Sequence, residues 1–316
     1  MSVDALVVGA GISGLACARR LAVAGLQVQV LDRGRGPGGR LANRTVAGRE
    51  VDLGAPYCTV SDDGFRAVTE DWLARGLLRE WTDTFRVAGP DGLGEARSGP
   101  MRYAATGGMR SLAEDLATGL TVARRTVDTI GPRLETGALD EAPRAVALAM
   151  PGPQAVRLLH EFHPALAATA DQSYGASIAV GARFPERTWP ELDAAFVSDL
   201  PIRWLADDGR SRGDGAPVLV ANAHPDFARD HLDRPDEAVG PVLDAMRQVL
   251  GVPLEPEEVL VHRWTFAQPT EARDTTFVLD ETGIGLCGDG WSERSRVEAA
   301  WRSGDDLGAA LVERLG

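Results

Sequence analysis

Lysine is absent from the 316 residues: all 33 basic side chains other than histidine are arginine. That absence excludes a Schiff-base lysine and the lysine of a phosphate-binding P-loop. Arginine keeps its proton and cannot take over as a general base. Cysteine is scarce too. Cys17, Cys58 and Cys287 cannot all pair, and neither they nor the five histidines form a metal-binding pattern, so no metal site is expected. No apolar run approaches the roughly 20 residues that span a bilayer. The N-terminus carries Asp4 where a secretory signal would be basic. A cytoplasmic protein without membrane contact is expected. Charge of one sign dominates: 46 acidic residues leave a net charge of −13, which argues against a nucleic-acid partner.

What is present begins at once. Ala5–Val8 reads as a strand, Gly9-Ala10-Gly11-Ile12-Ser13-Gly14 as a tight turn into a helix, and Val28–Leu31 as a second strand ending on Asp32. This is the spacing of a dinucleotide-binding βαβ unit. Gly9 permits the turn, Gly11 lets backbone approach a pyrophosphate, and Gly14 lets the helix pack on the strand. The N–H groups of Ile12 and Ser13 open the helix toward phosphate. Asp32, followed by Arg33, can accept from a ribose hydroxyl. Next comes Gly34-Arg35-Gly36-Pro37-Gly38-Gly39-Arg40-Leu41, a glycine-rich loop with a basic residue that can reach the second side of a pyrophosphate. A nicotinamide-binding domain would continue into another helix and strand. Here Glu50-Val51-Asp52-Leu53-Gly54-Ala55-Pro56-Tyr57 follows instead.

Near the other end, Gly283–Cys287 reads as a strand running into Gly288-Asp289-Gly290-Trp291. Ser295 and Glu298 bracket Arg296 and Val297 in a capping-box pattern that starts the last helix. Between the two ends, the spacing predicts a helix through Phe65, Val68 and Trp72, and strands at Trp81–Val87, Val122–Ile130, Ala145–Ala149, Tyr174–Phe184 and Val218–His224. Asp207–Gly215 reads as an exposed hairpin loop, and Pro235–Leu250 as an amphipathic helix.

Taken in order, these segments resemble the FAD-binding amine oxidase superfamily. Ser173-Tyr174-Gly175 and His262-Arg263-Trp264, with the short chain, are similar to its compact renalase-like branch. The resemblance implies an α/β fold: a Rossmann-type, GR2-like FAD-binding domain holding an inserted α+β substrate domain with a mixed or antiparallel sheet. The implied division is 1–58, 100–158 and 265–316 for FAD, and 59–99 and 159–264 for substrate. Noncovalent FAD would be held by Gly9, Gly11, Ile12, Ser13, Gly14, Asp32, Arg33, Gly39, Arg40, Leu41, Gly54 and Ala55. Val127 would meet the adenine, Asp289 the ribityl chain, and Gly288, Arg296 and Val297 the flavin end.

The same resemblance implies an oxidase that takes hydride onto flavin N5. Its small-molecule substrates would be isomeric dihydronicotinamide dinucleotides, restored to NAD(P), with dioxygen reduced to hydrogen peroxide. The lysine that many amine oxidases of this superfamily place near N5 is missing here. An already activated dihydropyridine needs positioning more than a protein base. Tyr57, Tyr174, Trp204 and Trp264 are the candidate pocket walls and Arg263 a candidate anion contact, although such residues also serve as core and ion-pair partners. No catalytic side chain is assigned. Other readings are an amine oxidase or desaturase-like enzyme on an amine or lipid-like substrate, and a non-catalytic FAD-binding redox protein. An aromatic cage would favour amines, an apolar tunnel a desaturase, and an arginine-bearing cleft the dinucleotide. A sealed flavin face would indicate a non-enzyme.

Overall fold

The computed structural model describes residues 3–316. The chain opens with β1 (Ala5–Val8), α1 (Ile12–Val23) and β2 (Val28–Asp32), then forms the hairpin β3 (Asn43–Val46) and β4 (Arg49–Asp52). It continues through α2 (Asp63–Ala74), β5 (Leu78–Gly89), β6 (Gly92–Ala105), α3 (Arg110–Ala117), β7 (Thr121–Arg124) and β8 (Ala145–Ala149). After α4 (Gly152–Leu159) and α5 (Pro164–Ala170) come β9 (Tyr174–Arg183), β10 (Ala194–Val197), β11 (Ile202–Asp207), α6 (Asp208–Arg212), β12 (Val218–Ala223), α7 (Pro225–Asp230) and α8 (Val239–Leu250). The chain closes with β13 (Glu258–Pro269), β14 (Phe277–Leu279), β15 (Ile284–Cys287) and α9 (Val297–Leu315).

The strands form two large sheets. The first, in the order β14-β15-β8-β1-β2-β7, is parallel except for the edge strand β14. Its centre is apolar on both faces, as parallel strands covered on both sides must be: all four residues of β1 are buried. One face lies under α1 and α9, which touch closely because glycine faces the contact. A Cβ on Gly304 would stand 1.8 Å from the Ser13 carbonyl oxygen, and one on Gly308 3.0 Å from that of Cys17. The opposite face is covered by α4, α5 and the segment carrying Val127, Ile130 and Leu134. The fold is therefore the α/β arrangement expected.

The second sheet, β13-β9-β12-β11-β10-β5-β6, is antiparallel except where β10 runs parallel to β5. Helix α8 presses Val242, Met246 and Val249 into one face. The other face carries two smaller clusters. In one, Val46, Val51 and Leu53 of the β3/β4 segment pack on Val218, Val220 and Trp264; in the other, Tyr57 joins Trp81, Phe85 and Trp204. The segment that leaves the glycine-rich loop thus lies directly on the second sheet. No helix among the described residues is long and apolar enough to cross a membrane.

Three local expectations differ from the structure. β7 ends at Arg124, so Val127 is buried in a loop and not in a strand. Asp207–Gly215 is not an exposed hairpin: it contains α6, capped by the Asp207 carboxylate on the Arg210 N–H and closed by Gly213 at φ +80°. Its polarity misleads because Asp207, Asp208 and Arg212 are buried in ion pairs. The capping box at Ser295 also fails to form. α9 starts after Arg296 with no side-chain cap, and both bracket residues are engaged elsewhere.

Candidate active site

The glycine turn and the second loop are laced together by Asp32. Its Oδ2 accepts the Ala10 N–H at 2.7 Å and its Oδ1 accepts the Gly34 N–H at 2.6 Å. A carboxylate has further lone pairs, so both bonds leave capacity for a ribose hydroxyl. Gly38 N–H donates to the Ala10 carbonyl at 2.8 Å, which sets the two loops side by side. Gly9 sits at φ +114°, and a Cβ there would lie 2.3 Å from the Ala149 carbonyl oxygen. A Cβ on Gly14 would meet the Gly9 oxygen at 2.0 Å, whereas one on Gly11 would meet nothing within 4 Å. Gly9 and Gly14 are therefore required by the protein's own packing. Gly11 leaves room for a ligand where α1 begins without a side-chain cap. Ile12 and Ser13 are buried, the Ser13 hydroxyl beside the Cys287 thiol, so only their backbone can face a phosphate. Arg33 is exposed. Arg110 was not anticipated; its side chain lies over Gly36 and Gly38, where Cβ atoms would collide with it at 2.2 and 3.2 Å.

Arg40 joins the first loop to the far end of the chain. It forms a two-pronged ion pair with Asp289, one arm at 2.9 Å, and its Nη1 also reaches the Ala267 carbonyl at 3.3 Å. The Ser295 hydroxyl donates to the same carboxylate. Gly39 and Leu41 form the short turn that presents Arg40. Gly54 passes beneath it so closely that a Cβ would stand 2.0 Å from the Arg40 carbonyl oxygen, which also accepts the Ala55 N–H at 3.0 Å. Gly288 takes φ +145° and donates to the Ser303 hydroxyl at 2.8 Å, turning the chain into Asp289. Glu298, 3% exposed, accepts the Asp62 N–H at 2.7 Å and bonds both the N–H and hydroxyl of Ser61. This is why it cannot complete a capping box. Arg296 is exposed and lies 3.7 Å from the Glu298 carboxylate, and Val297 is buried.

Asp52 serves neither loop. Its carboxylate accepts the Met109 N–H at 3.0 Å and lies 3.2 Å from Arg212. Arg212 also lies near Asp208, which Arg49 binds from its other side. Burial, helped by Asp208, pushes the Asp52 carboxyl up to about 7 against the pull of Arg212. This ionic knot fastens the β3/β4 hairpin to α6 and to the start of α3.

The proposed pocket residues separate into four groups. Tyr57 and Trp204 come together, with ring centroids 5.8 Å apart, and Trp81 and Phe85 lie 6.1 and 5.4 Å from Tyr57. Tyr174 stands apart, edge-on to Phe266 and near Arg40 and Asp289, its hydroxyl 2.7 Å from where a Cβ on Gly290 would stand. Trp264 donates its indole N–H to the Leu53 carbonyl at 2.7 Å. Arg263 is exposed and donates to the Leu232 carbonyl at 2.8 Å, away from all of them. His262 packs on Trp264 and meets Arg44 at 3.2 Å; burial first, then Arg44 and Arg263, lower its pKa to about 4. His160 and His163 each turn to a backbone carbonyl, and no group of metal-ligating side chains exists among the described residues.

A sequence profile described as flavin containing amine oxidoreductase matches residues 83–307, and one described as NAD(P)-binding Rossmann-like domain matches residues 7–72. The chain belongs to the flavin containing amine oxidoreductase family. Over 80 residues it is 46% identical to a zeta-carotene-forming phytoene desaturase of Myxococcus xanthus, a stretch covering 23% of this chain and 15% of that enzyme. The chain spans less than a fifth of the length of the curated relatives it matches. Its fold is shared with cyclohexylamine oxidase from Brevibacterium oxydans IH-35A at TM-score 0.78, 16% identity and full coverage of both chains (100% each). Putrescine oxidase bound to putrescine matches at TM-score 0.77 and 16% identity, over 99% of this chain and 100% of the other. At such identity these likenesses speak for the fold alone.

The family's cofactor is FAD, and the residues fit it. The uncapped start of α1 and the open space at Gly11 suit a pyrophosphate, and Asp32 retains lone pairs for a ribose. Arg40 and Asp289 meet where the two ends of the chain converge, and α9 presents a second uncapped N-terminus nearby. Sequence reasoning missed Trp81 and Phe85 as partners of Tyr57, along with Arg102 and Arg203 beside them. Alternation along β5 could have paired Phe85 with Trp81 as candidates, but no local signal marks Arg203.

Proposed function

We propose that this flavoenzyme oxidises isomeric dihydronicotinamide dinucleotides to NAD(P), with dioxygen accepting the electrons. The overall balance is one dihydronicotinamide, one dioxygen and one proton giving NAD(P) and hydrogen peroxide. Bound FAD supplies the two-electron acceptor. The chain's own contribution is a wall of rings, Tyr57, Trp81, Phe85 and Trp204, packed edge-on against one another, on which a planar donor can lie.

One observation carries this reading. The charged side chains that act on Tyr57 at that wall are Arg102 and Arg203, and neither pairs with a carboxylate among the described residues. An amine reaches a flavin as a hydride donor only after shedding its ammonium proton, which calls for a base or a carboxylate-lined entry. A dihydropyridine is already neutral at the reacting ring. The walls are aromatic, as an amine-oxidising cage would be, but their cations disfavour an ammonium group. Local identity to phytoene desaturases supports the second reading, oxidation of a lipid-like alkene; the polar donors among the rings count against an apolar tunnel.

Oxygen uptake by the FAD-loaded enzyme tests the proposal. Turnover with an isomer mixture of dihydronicotinamide dinucleotides, and none with putrescine or cyclohexylamine, is the expected result. The reverse order removes the proposal. Turnover of neither class, with FAD bound, removes the proposal and leaves the lipid-like alkene reading.

A further inference from the structure

Most buried arginines of this chain have carboxylate partners: Arg40 with Asp289, Arg49 with Asp208 and Asp214, Arg212 with Asp52 and Asp208. Arg102 and Arg203 have none among the described residues; half-buried Arg79, Arg86 and Arg273 lack one too, but each of those gives at least two hydrogen bonds to backbone carbonyls. Arg102, 8% exposed, donates to the Asp83 carbonyl and holds its guanidinium 4.0 Å above the Phe85 ring. Arg203 is half-buried and donates only to the Gln268 Oε1, at 3.1 Å. The charges of both act on the Tyr57 hydroxyl, that of Arg102 more strongly, against the rise that burial imposes on it. A charge withdrawn from water without a counter-charge is costly, and 46 acidic residues were available to supply one.

The backbone is bent to produce this arrangement. On β11, Ile202 stands opposite Ala223 and Trp204 opposite Asn222, which leaves Arg203 as an extra residue in the ladder. Such a bulge re-aims a side chain, here toward Tyr57 and Gln268. The indole N–H groups of Trp81 and Trp204 are buried in the same cluster with no acceptor. Two guanidiniums without a carboxylate partner and two indole N–H groups without an acceptor therefore gather at one aromatic cluster.

We propose that Arg102, Arg203 and the Tyr57 hydroxyl, beside the rings of Trp81, Phe85 and Trp204, form a binding site for an oxyanion, a carboxylate or a phosphate, carried next to a planar ring of the substrate. The site deepens the functional reading above and rests on its assignment of this cluster to the substrate. The planar guanidinium fork suits two-oxygen recognition, and the rings accept a flat neighbour. Affinity is ordered by charge: anionic ring compounds bind best, neutral ones weakly, and cationic ones least, because an ammonium would meet two like charges.

Calorimetric titration of the FAD-loaded protein with benzoate, phenyl phosphate, benzamide and benzylamine tests the site. The anions bind, and benzylamine does not. Arg203→Gln weakens anion binding about 10- to 100-fold, the loss expected of a charge-assisted hydrogen bond, and leaves the flavin spectrum and benzamide unchanged. Arg203→Lys keeps the charge and recovers part of that loss. Trp204→Phe, which retains a ring but removes the N–H, weakens the anions less than Arg203→Gln and serves if that variant does not fold. Binding of benzylamine as tight as benzoate, or anion affinity indifferent to Arg203 and Trp204, overturns the site. The two proposals fail separately. Arg203-dependent anion binding without reduction by dihydronicotinamides keeps the oxyanion site and removes the substrate. Reduction by dihydronicotinamides at a KM unchanged in Arg203→Gln does the opposite.

Discussion

Replacing Arg40 by methionine breaks the tie between the glycine-rich loop and the C-terminal strand. Asp289, with a side chain only 7% exposed, would keep the Ser295 hydroxyl as its remaining side-chain partner. Stranding one half of a buried pair costs about 3–5 kcal/mol. Arg40 is itself 29% exposed, so water reaches the vacated side, and about 2–3 kcal/mol is expected. For a chain of this size that lowers Tm by about 3–5 °C. Asp289→Asn keeps the volume and surrenders the charge. The double variant strands no carboxylate, so its loss should be smaller than the sum of the singles by about 1–3 kcal/mol. Urea unfolding of protein stripped of FAD measures all four corners of the cycle. We propose that the guanidinium also contacts the cofactor, so repeating it with FAD bound should widen the Arg40→Met deficit. A Tm loss under about 1 °C in Arg40→Met, or strictly additive singles, refutes the reasoning.

The other predictions separate packing from binding. Gly11→Ala should leave stability within about 0.5 kcal/mol, because its Cβ meets nothing, yet weaken FAD at least about tenfold in a fluorescence titration. Gly14→Ala forces a Cβ to 2.0 Å from the Gly9 oxygen and should cost about 1–3 kcal/mol of stability with or without FAD. His262 has a folded pKa of about 4, below its unfolded value, so it contributes stability above pH 6.5 that drains away as pH falls toward 4. The ceiling is about 3 kcal/mol, and solvent at this half-buried ring reduces it to about 1–2; His262→Gln should flatten the slope of Tm against pH in that window. Glu298→Gln exchanges a charged acceptor of three hydrogen bonds for a neutral one and should cost about 2–3 kcal/mol in urea unfolding.

Local rules reached the first sheet and the cofactor because each of those signals is carried by neighbours in sequence. The Gly9–Gly14 turn, Asp32 and the strand entering Asp289 announce themselves within a few residues. What failed depended on partners far along the chain. Ser295 and Glu298 have capping-box spacing, but Asp289 and the Ser61–Asp62 amides take them first. The run Asp207–Gly215 is polar enough for a surface loop, yet Arg49, Arg187 and the Asp52 carboxylate bury it. Tyr57 and Trp204, expected as pocket walls, come together in the structure, whereas Arg263, the expected anion contact, turns to the Leu232 carbonyl and Arg203 carries no local signal. Strand alternation places Arg263 correctly on an outer face; a bulge, invisible in sequence, brings Arg203 inward.

The central claim is that a planar dihydronicotinamide donates hydride to the flavin of this protein without help from a protein base. Anaerobic rapid mixing of the FAD-loaded enzyme with dihydronicotinamide isomers tests it most directly. The account predicts fast bleaching of the oxidised flavin band, with a rate constant nearly flat from mildly acidic to mildly alkaline pH, and no bleaching by putrescine or cyclohexylamine. Bleaching by the amines with none by the dihydronicotinamides would contradict it.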